Sequence, residues 1–358
     1  MALICGSGLA AAFPATASNN TNTVCSSSNT TGSQQSGSQA CAFDSAGLQN
    51  TFVSGSATYG TLFFGGLGSG NVGGGSGNSN TSGLGSSRFA MSTRDTGRAA
   101  AGMGSNWNAW IALSESDVGY KFQPLQSSGH VDVSLVGLDY TFANNLTAGL
   151  ALSWDQSRIG TSFNSGNLNS NGYMVAPYLS WRFTPAWSLD GTLGWGHSKV
   201  SQNDNSTPGG VSGNYGDDRF IGSVSLAYTA MVQKWIFTGR GGYLASQDRY
   251  GQFTLSNGTA VSGATNNNEQ VRLGGQAMYN AGAVLPYAGV YYFNYVRMPS
   301  QQAVGGSNPA NDRDGFQLQL GIQFVPRGKV YGGLMVSTDL GRSEIRNNLI
   351  MGNLGIRF

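Results

Sequence analysis

Along most of the chain, apolar residues alternate with small or polar ones at a period of two. Leu146, Ala148, Leu150, Leu152 and Trp154 share one face of an extended strand, and Thr147, Gly149, Ala151, Ser153 and Asp155 share the other. Tyr173, Val175, Pro177, Leu179, Trp181 and Phe183 oppose Met174, Ala176, Tyr178, Ser180 and Arg182 in the same way. Trp187, Leu189, Gly191, Leu193 and Trp195 repeat the pattern, as do Phe316, Leu318, Leu320, Ile322 and Phe324. The final residues, MGNLGIRF, keep alternating to the end, with Ile350, Gly352, Leu354, Ile356 and Phe358 on one face. Twelve such runs, near 106–114, 131–142, 146–156, 172–183, 187–198, 219–230, 234–246, 269–279, 285–295, 314–324, 330–339 and 346–358, predict an all-β, twelve-stranded antiparallel architecture. The ninth and eleventh runs leave their facing open, because LPYAGVYYFNY is aromatic on both sides.

Alternation also suits a soluble sandwich, and three further features separate the two. First, the apolar faces carry no charge, whereas Asp139, Asp155, Arg182, Asp190, Arg240 and Arg272 fall on the small or polar face. A charge facing lipid at mid-bilayer costs about 2–4 kcal/mol, so its absence there is expected of a membrane barrel. Second, aromatics gather at strand ends: Tyr140, Phe142, Trp181, Phe183, Trp187, Tyr228, Trp235, Tyr279, Phe324 and Phe358. That is the place of an interfacial girdle. Third, short connections at Ala143–Asn145, Thr184–Ala186, Met231–Gln233 and Asn280–Val284 alternate with long polar ones near 157–171, 199–218, 247–268 and 296–313. Transmembrane barrels have short periplasmic turns and longer outer loops. An even strand number places both barrel ends at the short-turn, periplasmic side, and the last strand must pair with the first near Trp107–Leu113 to leave no edge in lipid.

Composition agrees. Charged residues are 10% of 358, far below the roughly 25% of a soluble domain, and the 55 glycines are about twice the usual share. A net charge of +2 predicts no nucleic-acid partner. Residues 1–85 form a separate region, a Ser/Asn/Gly-rich low-complexity arm that cannot bury enough apolar surface to offset chain entropy. Gly68, Gly70 and Gly73 match a dinucleotide fingerprint in spacing, but GGSGNSNTSG follows where a helix is needed. Cys5, Cys25 and Cys41 all lie in the arm; Cys25 and Cys41 are a disulfide candidate if a leader is removed, and otherwise free thiols. Residues 86–104 bring charges (Arg88, Arg94, Asp95 and Arg98) and an alanine triplet, and predict a short helix. Residues 105–358 form the barrel.

Candidate chemistry is sparse. The histidines are His130 and His197, the latter followed by Ser198, and no Cys, His and acidic residues stand at metal-ligand spacing. No enzymatic activity, cofactor or metal is expected. Asp155, Arg182, Asp190, Arg240 and Arg272 are candidate lumen charges, pairing with each other or with Arg88, Arg94, Asp95 and Arg98 of the linker, or else solvated wall residues.

The segments WNAWIAL, VGLDYTF with LTAGLALSW, VAPYLSWRF, WSLDGTLGWGHS, LPYAGVYYFNY and MGNLGIRF, in this order and spacing, resemble the C-terminal translocator barrel of autotransporters, the type V secretion proteins. The resemblance implies an outer-membrane barrel in Gram-negative lipid, with a linker helix threading the lumen to an N-terminal passenger. It also implies that the last strand (Ile350, Leu354, Ile356, Phe358) is the signal read by the barrel-assembly machinery, with periplasmic chaperones as earlier partners. The arm is short for a passenger, hence vestigial or truncated. The linker lacks the Asn-Asn pair of self-cleaving members, so no autocleavage by that route is expected. A passive porin-like channel, or a surface barrel or adhesin with ligand-binding outer loops, is the alternative reading.

Overall fold

The structure, a computed structural model, describes residues 107–358 apart from 123–124, 143–144, 207, 299–309, 311 and 325–329. The arm and the expected linker helix lie outside the described residues. Fourteen strands follow in order: β1 (Trp107–Tyr120), β2 (Ser127–Thr141), β3 (Leu146–Thr161), β4 (Gly166–Trp181), β5 (Trp187–Asp204), β6 (Val211–Val232), β7 (Trp235–Tyr250), β8 (Phe253–Thr254), β9 (Ala260–Val261), β10 (Ala264–Tyr279), β11 (Val284–Arg297), β12 (Asp314–Phe324), β13 (Val330–Leu340) and β14 (Ile345–Arg357). Twelve close into an antiparallel barrel in the order β1-β14-β13-β12-β11-β10-β7-β6-β5-β4-β3-β2, and β8 and β9 form a separate hairpin.

Closure is made by the chain's two ends. β14 pairs with β1 from Asn108↔Arg357 to Tyr120↔Ile345. Beyond the ladder, the Phe358 amide donates to the Trp107 carbonyl at 3.3 Å. Both ends therefore stand at the rim that carries the short turns, hereafter the inner rim. The tightest of these turns, Gln233–Lys234 between β6 and β7, uses a positive φ of 55° at Gln233.

The side chains divide by parity. Leu150, Leu152, Leu193, Leu226, Leu273, Leu320, Leu334 and Leu354 point outward and are 39–65% exposed, a surface that water would not tolerate but lipid covers. Aromatic pairs edge this band at the inner rim: Trp107 with Tyr140, Trp187 with Tyr228 and Trp235 with Tyr279, at 5.0–5.1 Å between ring centroids. Trp154, Tyr173, Trp195 and Tyr292 stand outward at its other edge. From Trp187 to Trp195 the strand climbs about 20 Å along the axis at roughly 40° of tilt, close to the usual height of an apolar band. The two ambiguous runs take sides: Leu285, Tyr291, Phe293 and Tyr295 of β11 point inward and Val284, Val290 and Tyr292 outward, while Tyr331 and Met335 of β13 point inward and Leu334 and Val336 outward.

The strands run well past the expected bounds on the long-loop side, and this corrects the reading of 157–171, 199–218 and 247–268 as loops. β3 continues to Thr161 and β4 resumes at Gly166; β6 alone has 22 residues. Above the membrane band neither face needs to be apolar, so the period-two signal fades while the ladder continues. Polar side chains then bridge strands: Asn203 Nδ2 donates to Asn167 Oδ1 at 3.1 Å and Gln247 Nε2 to Asn267 Oδ1 at 2.7 Å. Outward charges appear there as well, with His130 Nδ1 3.5 Å from Glu115 and Arg346 3.1 Å from Asp117.

Candidate functional site

The candidate site is the lumen, which has two unlike walls. At mid-height, β13, β14 and β1–β4 present mostly apolar side chains, Met335, Met351, Ala112, Val133, Leu135, Ala151, Met174 and Ala176, with Ser114 and Ser153 among them, all buried, and Trp110 extends this wall toward the inner rim. The facing arc, β5–β12, presents mostly polar side chains, Asp190, Thr192, Ser225, Thr238, Arg240, Gln270, Arg272, Gln317 and Gln319, with Leu244 and Ile221 among them, equally buried.

Near the inner rim a hydrogen-bonded chain crosses the seam where the barrel closes. Tyr331 donates from its hydroxyl to Asn108 Oδ1 at 2.9 Å, and Asn108 Nδ2 donates to Asp139 Oδ2 at 3.0 Å. The Tyr178 hydroxyl donates to the same carboxylate oxygen at 2.8 Å and accepts from Trp110 Nε1 at 2.9 Å. Arg357 caps the chain over the Tyr331 ring at 5.1 Å. Glycine makes room for both tyrosines: a Cβ on Gly149 would overlap the Tyr178 ring, and one on Gly355 the Tyr331 ring.

Toward the outer rim Arg219 sits among three carboxylates. Its Nη1 is 2.7 Å from Asp155 Oδ2, and its Nε is 3.1 Å from Asp217 Oδ2 and 3.8 Å from Asp248 Oδ1. Ser170 accepts from Nη2 at 3.1 Å. Above this cluster the β8–β9 hairpin folds against the inner face of β6. Phe253 stacks on Tyr215 at 4.5 Å, Leu255 and Phe253 cover Gly213, and the Ser256 amide donates to the Ser212 carbonyl at 2.7 Å. Phe253, Leu255 and Val261 thereby join one buried apolar cluster with Leu168, Ile159 and Val131 of the wall.

The predicted lumen charges are placed as follows. Asp155 pairs with Arg219. Arg272 is 3% exposed and donates from Nη1 to Gln317 Oε1 at 3.2 Å. Arg240 is buried on the polar wall. Arg182 lies just past β4 at the inner rim, where Nη2 donates to Asn145 Oδ1 at 3.4 Å. Asp190 is 7% exposed, and neither carboxylate oxygen has a hydrogen-bond donor among the described residues. The five do not form ion pairs with one another among the described residues. Arg88, Arg94, Asp95 and Arg98 lie outside the described residues. Ile350, Leu354, Ile356 and Phe358 form an outward stripe, 45–55% exposed. His197 points outward, 2.8 Å from Asp218, while Ser198 points into the lumen, so the adjacent pair is split between faces.

Arg219, Asp217 and Asp248 are site residues that sequence reasoning missed, because they fell in or at the edge of presumed loops. The hairpin was findable: Asn257-Gly258 between Phe253, Leu255 and Val261 is a strong hairpin signal, and Gly258 has a φ of 85°. Outside the membrane, Asp312 accepts from the amides of Ser343, Glu344 and Ile345 at 2.6–3.0 Å and from Ser343 Oγ at 2.7 Å. Burial pushes its pKa up, but these donors together outweigh it and hold the carboxyl below its ordinary value.

No curated protein sequence matches the chain. Among solved structures, the translocator domain of the autotransporter NalP from Neisseria meningitidis is similar at a TM-score of 0.62 and 14% identity, covering 72% of this chain and 90% of its own. The β domain of the Bordetella autotransporter BrkA gives 0.60 at 15% identity, covering 71% and 100%. The transport unit of AIDA-I from Escherichia coli gives 0.55 at 15%, covering 75% and 93%. At such identities these likenesses speak for the fold. The family description "Autotransporter beta-domain" matches residues 109–337, more than half of the chain. With a closed twelve-stranded barrel, a lipid-facing apolar band and a polar-walled lumen beneath that match, the chain belongs to the autotransporter β-domain family and is an outer-membrane translocator barrel of type V secretion.

Proposed function

We propose that the barrel carries its own N-terminal segment, residues 1–85, across the outer membrane to the cell surface, with residues 86–104 held in the lumen as a helix. The two-sided lumen carries this reading. At 3.6 residues per turn, Arg88, Arg94, Asp95 and Arg98 would gather on one side of such a helix and Phe89, Ala100 and Met103 on the other. The charged side matches the β5–β12 wall and the apolar side the β1–β4 wall. Height agrees too. A helix entering at Trp107 lifts Arg98 about 13 Å above the inner rim, and Asp190 stands about 8 Å above it. An arginine side chain spans that difference, and it would supply the donors that the Asp190 carboxylate lacks.

On this reading the barrel moves cargo and performs no chemistry of its own. The outward stripe of Ile350, Leu354, Ile356 and Phe358 serves assembly: it would be read by the barrel-assembly machinery after periplasmic chaperones deliver the unfolded chain. The test of the threaded linker is a disulfide. In a chain with Cys5, Cys25 and Cys41 changed to Ser, Arg98→Cys and Asp190→Cys should cross-link on oxidation in isolated membranes. A folded barrel that yields no cross-link at that pair, or at neighbouring positions one helical turn away, rejects it.

A further inference from the structure

In the outer half of the barrel, the guanidinium of Arg342 has no hydrogen-bonded counterpart among the described residues. Arg342, in the turn between β13 and β14, folds inward so that its stem packs over Gly315 of β12. Its guanidinium lies 5.7 Å from the Phe293 ring centroid and 5.2 Å from that of Tyr295. All three of its nitrogens are shielded from solvent, and none has a hydrogen-bond partner among the described residues. The acidic groups nearby are turned to other donors: Asp312 to the 343–345 amides, Glu344 Oε2 to the Ala310 amide at 2.8 Å, and Asp339 Oδ1 to Gln317 Nε2 at 3.2 Å. A second cation, Arg272, shares the Phe293 ring at 5.7 Å. Two guanidiniums thus share one aromatic ring, with Asp339 as the carboxylate in Coulombic range of both.

Ring faces satisfy a guanidinium's faces but not its edge, where the N–H bonds point. A buried charge without acceptors is among the most destabilising arrangements in a folded chain. We propose that this pair of guanidiniums is a site for a small oxyanion, a phosphate or a carboxylate, received edge-on by Arg342 with Arg272 supplying the supporting field. Bidentate pairing with a planar fork is what that edge provides.

One source of the oxyanion is set aside by position. Lipid headgroups lie across the wall, since Arg342 packs on the inward face of β12. The linker carboxylate of Asp95 would stand about 18 Å above the inner rim in a helix starting at Trp107, and Phe293, nine residues up β11 from Val284, puts the guanidinium about 23 Å above it. A free anion entering from the outer mouth is the proposed occupant, and phosphate binding that appears only in Asp95→Asn would give the site to the linker carboxylate instead.

The experiment uses the full chain, folded in detergent and titrated calorimetrically with inorganic phosphate against chloride at matched ionic strength. Saturable phosphate binding is expected. Arg342→Gln should weaken it by about tenfold or more, and Arg342→Lys, which keeps the charge but loses the fork, should fall between. Arg346→Gln, which removes an outward arginine paired with Asp117, should leave it unchanged. If the Arg342 variants do not fold, Asp339→Asn gives the reading instead, because removing the neighbouring negative charge should tighten binding. A wild-type chain without saturable binding overturns the assignment. So does an affinity unchanged in Arg342→Gln or, where that variant is unfolded, in Asp339→Asn.

Discussion

The two walls of the lumen share one pleat and one kind of turn, yet the strands of one present chiefly apolar side chains such as Trp110, Leu135, Met174 and Met351, and those of the other chiefly polar ones such as Asp190, Arg240, Gln270 and Arg272. A channel for small solutes needs only a wet wall, and a folded soluble core needs only a dry one. A wall of each kind, facing one another, suits an amphipathic occupant that presents one side to each. On the proposed function the inward residues describe the cargo path, just as the outward residues describe the membrane.

The most severe way to break the contrast is to exchange the walls' chemistry. Leu135→Arg would bury a charge in the apolar wall, where desolvation amounts to several kcal/mol, and folded barrel should be lost from outer membranes. Ser225→Arg, the same change on the polar wall, should leave folded barrel near the wild-type level on heat-modifiability gels. Comparable loss in both variants would mean that the walls do not differ in kind. Next in size is Arg219→Ala, which strands Asp155, Asp217 and Asp248 together. Removing one partner of a buried ionic cluster costs about 3–5 kcal/mol, to be read from urea unfolding in detergent at neutral pH. Below that, Tyr178→Phe removes the hydroxyl that joins Trp110 to Asp139 across the inner end, for about 1–3 kcal/mol. The smallest effect concerns Asp312, outside the membrane. Its folded pKa is depressed, so its contribution is complete above the ordinary carboxylate range and fades as pH falls through the lowered value. Asp312→Asn should lose less than about 1–2 kcal/mol at pH 7, and the gap from wild type should close on acidification.

Much of this was legible from alternation alone. The facing of β3, β4, β5 and β12, the inner girdle, the side bearing the short turns and the closing role of the strand ending in Phe358 all follow from one rule. Lipid admits no outward charge and no open strand edge. The rule is silent where lipid ends. Above the band both faces are polar, so the upper halves of β4, β5 and β6 looked like loops, and Arg219, Asp217 and Asp248 were hidden with them. Arg342 was invisible for another reason: whether a turn arginine reaches out to water or in over Gly315 depends on the space that glycine leaves, not on local pattern. The facing of β11 needed its neighbours as well, because an aromatic suits lipid and lumen equally.

The central claim, that the barrel puts its own N-terminal segment outside the cell, is tested most directly by labelling Cys25 and Cys41 on intact cells with a membrane-impermeant maleimide, beside a control that confirms barrel insertion. The account predicts labelling at both positions in cells whose periplasm remains sealed. Correctly inserted barrels whose two cysteines react only after the outer membrane is permeabilised would contradict it.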